Sequence, residues 1–428
     1  MTGSGNKPRG HGARRNDVRN SLGGDNMSWY RKSTTCLAVA AAVLASGAAL
    51  AADTIKIGMT SALTGPYNEF GEGNRRAVEL AVEQWNAKGG INGKKIEIAM
   101  LLDDQLNPDR AVQNIRAILD NKDIVGIIGP AGSGPMLAVI DMVQADGRPY
   151  MNPIAQTPVV TYPGEKTGEK PRPNVFSFAL QNDIEAVAMG EYLAKKFKRV
   201  GIIHESTAYG VTGVDYLAAS IAKNGGAKPV ATDSYNQGAQ DMTAQVARMK
   251  RANVDAIAAI GLGKDLAVLR RTMARLNVNV PLAASNGALG QPYQEGAGEL
   301  TLGTLGTMIG AFGNPMRAPA ADFAKAYKAK YGTDRWWGND PENPQLFMAI
   351  SVSNGYDAAN ILFEGIRLAN STDPKAVIAA IESIKDYQGV NTAYTFSKER
   401  HHGIETDGVK VFEYVKKGDK IRLEPIAQ

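Results

Sequence analysis

Residues 129–135 read Gly-Pro-Ala-Gly-Ser-Gly-Pro, and their types and spacing point most directly to chemistry. They follow a short apolar run, 125–128, and open a stretch of helical periodicity, 135–146. A glycine-rich turn at a helix N-terminus offers backbone N–H groups and the positive end of the helix dipole to an anion such as a carboxylate. Ser133 suits the N-cap and Pro135 the first turn, so a plain capped strand-to-helix turn is the alternative reading. No lysine follows at P-loop spacing, which argues against a nucleotide phosphate. The next loop, 152–158, is stiffened by prolines 149, 153 and 158, and its Thr157 and backbone could reach the same place.

Three later loops each follow a short apolar run. Tyr209-Gly210 comes after 199–203 and offers a flat face and a hydroxyl, or is a surface aromatic. Gly261-Leu262-Gly263 comes after 256–260 and is half a dinucleotide fingerprint, without the third glycine. Asn286-Gly287 comes after 281–284; it is a turn, or an amide that can both donate and accept. Other reactive types do not assemble into a site. His204 lies near Ser206 without a nucleophile elbow. His401-His402 stand in a polar stretch that reads as a solvated loop with no third metal ligand. Asp103-Asp104 end a strand and read as solvated or capping acids. Trp336-Trp337 are adjacent, so they cannot face one way in regular structure. We expect no catalytic residue, no metal and no cofactor.

These loops need a frame, and the periodicity supplies one. From residue 55, β-branched runs (55–59, 96–101, 125–128, 150–151) alternate with helical stretches (71–88, 108–121, 135–146). Asn107-Pro108 is an N-cap followed by proline at the first helical position, and Gly89-Gly90 closes the first helix. The pattern restarts with strands at 199–203, 229–233, 256–260 and 281–284 and helices at 213–223, 242–251 and 266–276. Two successive series predict an α/β fold of two doubly wound parallel-sheet lobes. Such sheets bind ligands beyond the carboxyl ends of their strands. A helical region, 321–385, and strands at 393–396 and 409–414 complete the chain.

Composition bounds the function. The 428 residues are 44% hydrophobic and 21% charged, an ordinary globular balance for two domains. Seven of the lysines and arginines and two of the acids fall in the first 51 residues; beyond them basic and acidic residues balance, which gives no support for a nucleic-acid partner. Arg31 and Lys32, the apolar run 37–50 and the small residues at 49 and 51 read as a signal peptide over 27–51, cleaved before Ala52. Residues 1–26 read as an over-long start, and Met27 stands where a signal peptide begins. The single cysteine, Cys36, lies inside that signal, so the mature chain has no disulfide and no thiolate.

The strings "IKIGMTSALTGPYNEFGEGNRRAVELAVEQWNAKGGINGKKIEI", "DDQLNPDRAVQNIRAIL", "IVGIIGPAGSG", "VGIIHESTAYG" and "GYDAANILFEGI" occur in order across nearly the whole mature chain. In this the sequence resembles the periplasmic branched-chain amino-acid (Leu/Ile/Val-type) binding proteins of ABC transporters, the type I periplasmic binding proteins. The resemblance implies two lobes joined by a three-crossover hinge: 53–178 with 312–392, and 179–311 with 393–428. It implies a monomeric periplasmic protein that closes on a small carboxylate or amide ligand and hands it to membrane permease subunits. By position it implies ligand contacts from Phe70, Gly132, Ser133, Gly134, Ala155, Thr157, Tyr209, Gly261 and Asn286. Two departures stand out. Amino-acid binders of the family carry an acid where this chain has Asn286, and a tyrosine near 261–263. Asn cannot neutralise an ammonium, so the expected ligand is an aromatic or aliphatic acid or an amide, in an enlarged pocket, with a branched-chain amino acid as the alternative. The competing functions are a periplasmic sensor feeding a signalling receptor and a nucleotide-dependent enzyme; the enzyme would need a phosphate fingerprint or catalytic set that the chain lacks.

Overall fold

The computed structural model describes residues 54–164, 169–312, 315–332, 346–405 and 408–426. The signal peptide, the segment before it, Cys36, Trp336 and Trp337 lie outside the described residues. In chain order the first series comprises β1 (Ile55–Ser61), α1 (Asn68–Ala87), β2 (Ile96–Asp103), α2 (Pro108–Asp120), β3 (Ile124–Ile128), α3 (Ser133–Asp146), β4 (Tyr150–Asn152) and β5 (Val175–Ser177). The second comprises α4 (Asn182–Lys196), β6 (Val200–Glu205), α5 (Ala208–Lys223), β7 (Ala231–Tyr235), α6 (Thr243–Arg251), β8 (Ala256–Ile260), α7 (Gly263–Arg275), β9 (Leu282–Ala284), α8 (Gln291–Ala297) and β10 (Leu305–Ile309). Helices α9 (Ala318–Tyr331), α10 (Leu346–Ala369) and α11 (Pro374–Glu382) follow, then strands β11 (Tyr387–Gln388), β12 (Ala393–Tyr394), β13 (Val409–Lys417) and β14 (Lys420–Pro425).

Each series builds its own parallel sheet, and the strand order repeats. The first sheet runs β2-β1-β3-β4-β5; the second contains β7-β6-β8-β9-β10. Both reverse direction beside their first strand, which opens a crevice at the carboxyl edge. The second sheet also differs from a purely parallel one: β13 adds antiparallel to β10, and β14 to β13. Local signals act as the sequence predicts. The Asn107 side chain accepts from the Arg110 N–H at 3.0 Å ahead of Pro108, and Asp373 caps α11 in the same way through Ala376. Gly89 and Gly90 take positive φ after α1.

After β10 the chain returns to the first sheet. α10 lies on α1, where the Asn74 amide donates to Ser351 O at 3.1 Å and the Trp85 indole N–H to Asn360 at 2.8 Å. One core gathers Ile57, Met59, Phe176, Leu362 and Phe363. Tyr394 and Phe396 belong to this core too, so the last passage to the second sheet comes after them rather than at residue 393. The chain therefore crosses between the sheets three times: after β5, after β10, and between residues 396 and 409. Asp357 of α10 is fully buried and accepts from the Val390 N–H at 2.8 Å, the Asn391 N–H at 3.1 Å and the Tyr394 hydroxyl at 2.9 Å. Burial outweighs these bonds and pushes its carboxyl up to about 6.

The histidine pair corrects the sequence reading, which made it a solvated loop. His401 and His402 are both buried. His401 stacks on Phe176 at 4.1 Å and pairs with Val175 O and the Glu382 carboxylate; His402 pairs with Ala179 O at 2.8 Å. Burial lowers both, His402 to about 4, and the pair joins two of the crossovers. Asp104 is likewise buried rather than solvated, accepting from the Thr60 hydroxyl and the Leu106 N–H.

Candidate functional site

The carboxyl ends of the parallel strands meet around a cavity of about 170 Å³. Phe70 follows β1, Leu106 and Pro108 follow β2, Gly132 to Pro135 follow β3, and Ile154 and Gln156 follow β4. From the second sheet come Glu205 at the end of β6, Thr207 and Tyr209 after it, Gln237 after β7, Leu262 after β8, Asn286 after β9 and Met308 within β10. Of the expected site residues, Phe70, Gly132, Ser133, Gly134, Tyr209 and Asn286 line this cavity.

The glycine-rich loop is shaped by Gly132. It stands at φ 93° as the N-cap of α3, and a Cβ there would meet Leu106 Cδ1 at 2.5 Å. Ser133, expected as the cap, is instead the first helical residue. Pro135 has no N–H and the Met136 N–H bonds to Gly132 O, so the first turn leaves the amides of Ser133 and Gly134 to donate. The Ser133 oxygen accepts from the N–H groups of Gln156 and Thr157, both at 3.2 Å, which directs its own hydrogen elsewhere. Ala155 and Thr157 are buried and back this loop, while Gln156 between them lines the cavity. The Thr157 hydroxyl and the Gln156 Oε1 have no partner among the described residues.

Tyr209 lies in the first turn of α5, which begins five residues earlier than the periodicity indicates. It is buried, which rules out the surface-aromatic reading, and burial raises its phenol well above the usual range. The expected enlargement at Gly261 is also absent. A Cβ at Gly261 would meet the Tyr235 hydroxyl at 1.9 Å, so a ring from β7 fills the space a side chain at 261 would take. Gly261 itself is held by Ser285, whose hydroxyl lies 3.2 Å from both its N and its O. Asn286 is fixed through its backbone N–H, which donates at 2.8 Å to the buried Glu185 carboxylate; Thr307 also donates to that carboxylate. The Asn286 Nδ2 has no partner among the described residues. His204 and Ser206 do not act together: the imidazole pairs with Glu205 O and the hydroxyl with Asn236.

Sequence reasoning missed two acids. Glu205 is 1% exposed and lines the cavity. The Thr207 hydroxyl donates to one of its oxygens, and the other, Oε2, has no partner among the described residues. Burial pushes its carboxyl up to about 7. Asp265, in α7, accepts from the Tyr67 hydroxyl at 3.2 Å and the Gly238 N–H at 3.1 Å. Tyr67 belongs to the first sheet's side and Asp265 to the second's, so this bond ties the two sides together. The one clue to either acid was position: Glu205 closes a strand that points at the crevice.

A family model described as periplasmic binding protein matches residues 54–419. The chain is 30% identical over 356 residues to a Leu/Ile/Val-binding protein homolog of Brucella melitensis, covering 82% of this chain and 89% of that one. It is 25% identical over 336 residues to a leucine-, isoleucine-, valine-, threonine- and alanine-binding protein of Pseudomonas aeruginosa, covering 78% and 83%. The fold is similar to a crystal structure of a leucine binding protein from Thermotoga maritima, with TM-score 0.72 at 22% identity over 87% of this chain and 98% of that one. It is equally similar to a solute binding protein of an ABC transporter from Rhodopseudomonas palustris in complex with 3,4-dihydroxy benzoic acid, with TM-score 0.72 at 19% identity over 88% and 97%.

Proposed function

The chain belongs to the periplasmic binding protein family, and from that premise we propose that it captures a small carboxylate-bearing ligand in the periplasm for an ABC importer. The observation that carries this is the cavity itself, built from loops at the carboxyl ends of both sheets and lined by apolar side chains with a few polar groups. The Ser133 hydroxyl and the free amides of α3 receive the carboxylate. Phe70, Leu106, Ile154, Leu180, Leu262 and Met308 surround the rest of the ligand. In this reading residues 53–178 with 312–396 make one lobe and 179–311 with the C-terminal strands the other, which the sheet membership and the place of Phe396 in the first core support. Closure of the lobes about their three crossovers removes water and strengthens each polar contact. The partners are then the membrane permease subunits, and no bond is made or broken. The relatives named for Leu, Ile and Val support an amino acid, and the neighbour holding a dihydroxybenzoic acid supports an aromatic acid.

The test is a thermal-shift screen of the purified protein against apolar amino acids, aromatic and short aliphatic acids, and their amides. A ligand specific to the native state raises the melting midpoint by mass action. At least one carboxylate should do so, and Ser133→Ala should weaken that ligand by about tenfold, the worth of one hydrogen bond to a charged group. No shift from any carboxylate, or a ligand indifferent to Ser133→Ala, refutes the assignment.

The Tyr67–Asp265 bond gives a second expected outcome. Tyr67→Phe removes only the hydroxyl that spans the two sides, so it should favour the open form. Ligand affinity, measured by calorimetry, should fall by about 3–30-fold, while the unfolding midpoint without ligand changes little. An unchanged affinity would mean that the bond plays no part in closure.

A further inference from the structure

We infer that Glu205 is the acceptor for a ligand's ammonium group, which makes it the residue that selects amine-bearing ligands in this cleft; the inference rests on the solute-capturing role proposed for the same cavity. The argument starts from charge. Among the described residues lining the cavity Glu205 is the one carboxylic acid, and none of them is a lysine, arginine or histidine. A ligand that is only an anion would bring a second negative charge to a closed space already holding a buried carboxyl. A zwitterion brings no net charge and offers an opposite pole to each side.

The poles are also separated in the fold. The donors at the start of α3 belong to the first sheet, and Glu205 ends β6 of the second. The Glu205 carboxyl is divided in its use. One oxygen is taken by the Thr207 hydroxyl, which holds the side chain in place. Oε2 has no partner among the described residues although the residue is 1% exposed. A buried carboxylate oxygen without a donor is costly, and a charged donor from the ligand relieves that cost with one of the stronger bonds available. Asn286 cannot take this role: it carries no charge, and its unpartnered atom is the donor Nδ2. The premise behind an amine-free ligand, that no acid reaches the pocket once Asn286 replaces one, therefore fails. The acid comes from a different strand.

The apolar lining selects the rest of the ligand, so L-leucine and its amine-free counterparts 4-methylpentanoate and 4-methylpentanamide are the probes. Calorimetry on the purified protein should show leucine binding at least about 100-fold more tightly than 4-methylpentanoate, the range expected for a buried charged pair. Glu205→Gln should reduce leucine affinity by about 100-fold and, with the like charge gone, let 4-methylpentanoate bind at least as tightly as before, which also certifies the variant's fold. If Glu205→Gln loses both probes, Glu205→Asp becomes the comparison: it keeps the charge and should still prefer leucine. Three results overturn the assignment but leave the capture function standing: leucine binding indifferent to Glu205→Gln, a wild type that prefers 4-methylpentanoate or the amide, or a Glu205→Asp that no longer prefers leucine. Wild type that binds no apolar carboxylate or amide at all overturns both.

Discussion

Asp357→Ala should lower the stability of the protein by about 3–5 kcal/mol, read from urea unfolding followed by circular dichroism. The substitution strands three buried donors at once: the Val390 and Asn391 N–H groups and the Tyr394 hydroxyl. Each loses its acceptor away from water, and a cavity is left beside α10. Asp357→Asn keeps the volume and one acceptor and should cost less. The two carboxyl states add a pH signature. The folded value of about 6 lies above the ordinary 3.8, so the folded protein holds this proton more tightly than the unfolded chain does. The stability linked to it is fully present below about 4 and is lost as pH rises through 6. The advantage of wild type over Asp357→Asn should therefore widen as pH falls from 7 to 4, by up to about 3 kcal/mol. A constant difference, or one that shrinks, would contradict the assigned environment.

The second large effect concerns a methyl group. Gly71→Ala places a Cβ 2.0 Å from Ala62 O and 2.2 Å from Ala62 C. Both belong to backbone, so neither can swing aside, and the start of α1 must move away from the loop after β1. Phe70, which lines the cavity, moves with it. We expect a stability loss of about 2–4 kcal/mol and at least a tenfold fall in ligand affinity. Gly89→Ala is the control. Its φ is 101° but nothing lies within 4 Å of the added carbon, so only the left-handed penalty of about 1 kcal/mol should appear, without any change in binding. If the two variants behave alike, close packing at Gly71 does not position Phe70.

The contrast between legible and hidden elements has physical causes. β3 and β8 stand out as unbroken apolar runs because both of their faces are covered. α2 announces itself through Asn107 and Pro108, whose roles are local. α4 left no such trace. It packs against α5, β10 and β13, so its buried residues are spread around the helix instead of forming a stripe. β10 is interrupted by Gly306 and Thr307, yet all five of its residues are buried, with Thr307 satisfied by Glu185. At the site, the rule that ligands gather beyond strand ends found Ser133, Tyr209 and Asn286. It could not decide that Gln156 lines the cavity while Ala155 and Thr157 stand behind it, since a loop has no fixed side-chain alternation. Glu205 and Tyr235 were hidden for another reason. Their importance lies in what occupies the space beside them, Thr207 in one case and the bare Gly261 in the other, and those neighbours are assembled only by the fold.

The return of α9 to α11 to the first sheet also sets the order in which this molecule can assemble. Asn74 finds its partner Ser351 277 positions later, and Trp85 finds Asn360 275 positions later. Until those late helices arrive, β1 to β5 and α1 have no cover for the face that α10 buries. Such distant pairings close slowly, because the connecting chain must first give up its freedom. The first half of the polypeptide therefore stays unfinished until nearly the whole of it is present. A chain built this way stays open and extensible for as long as α9 to α11 are missing.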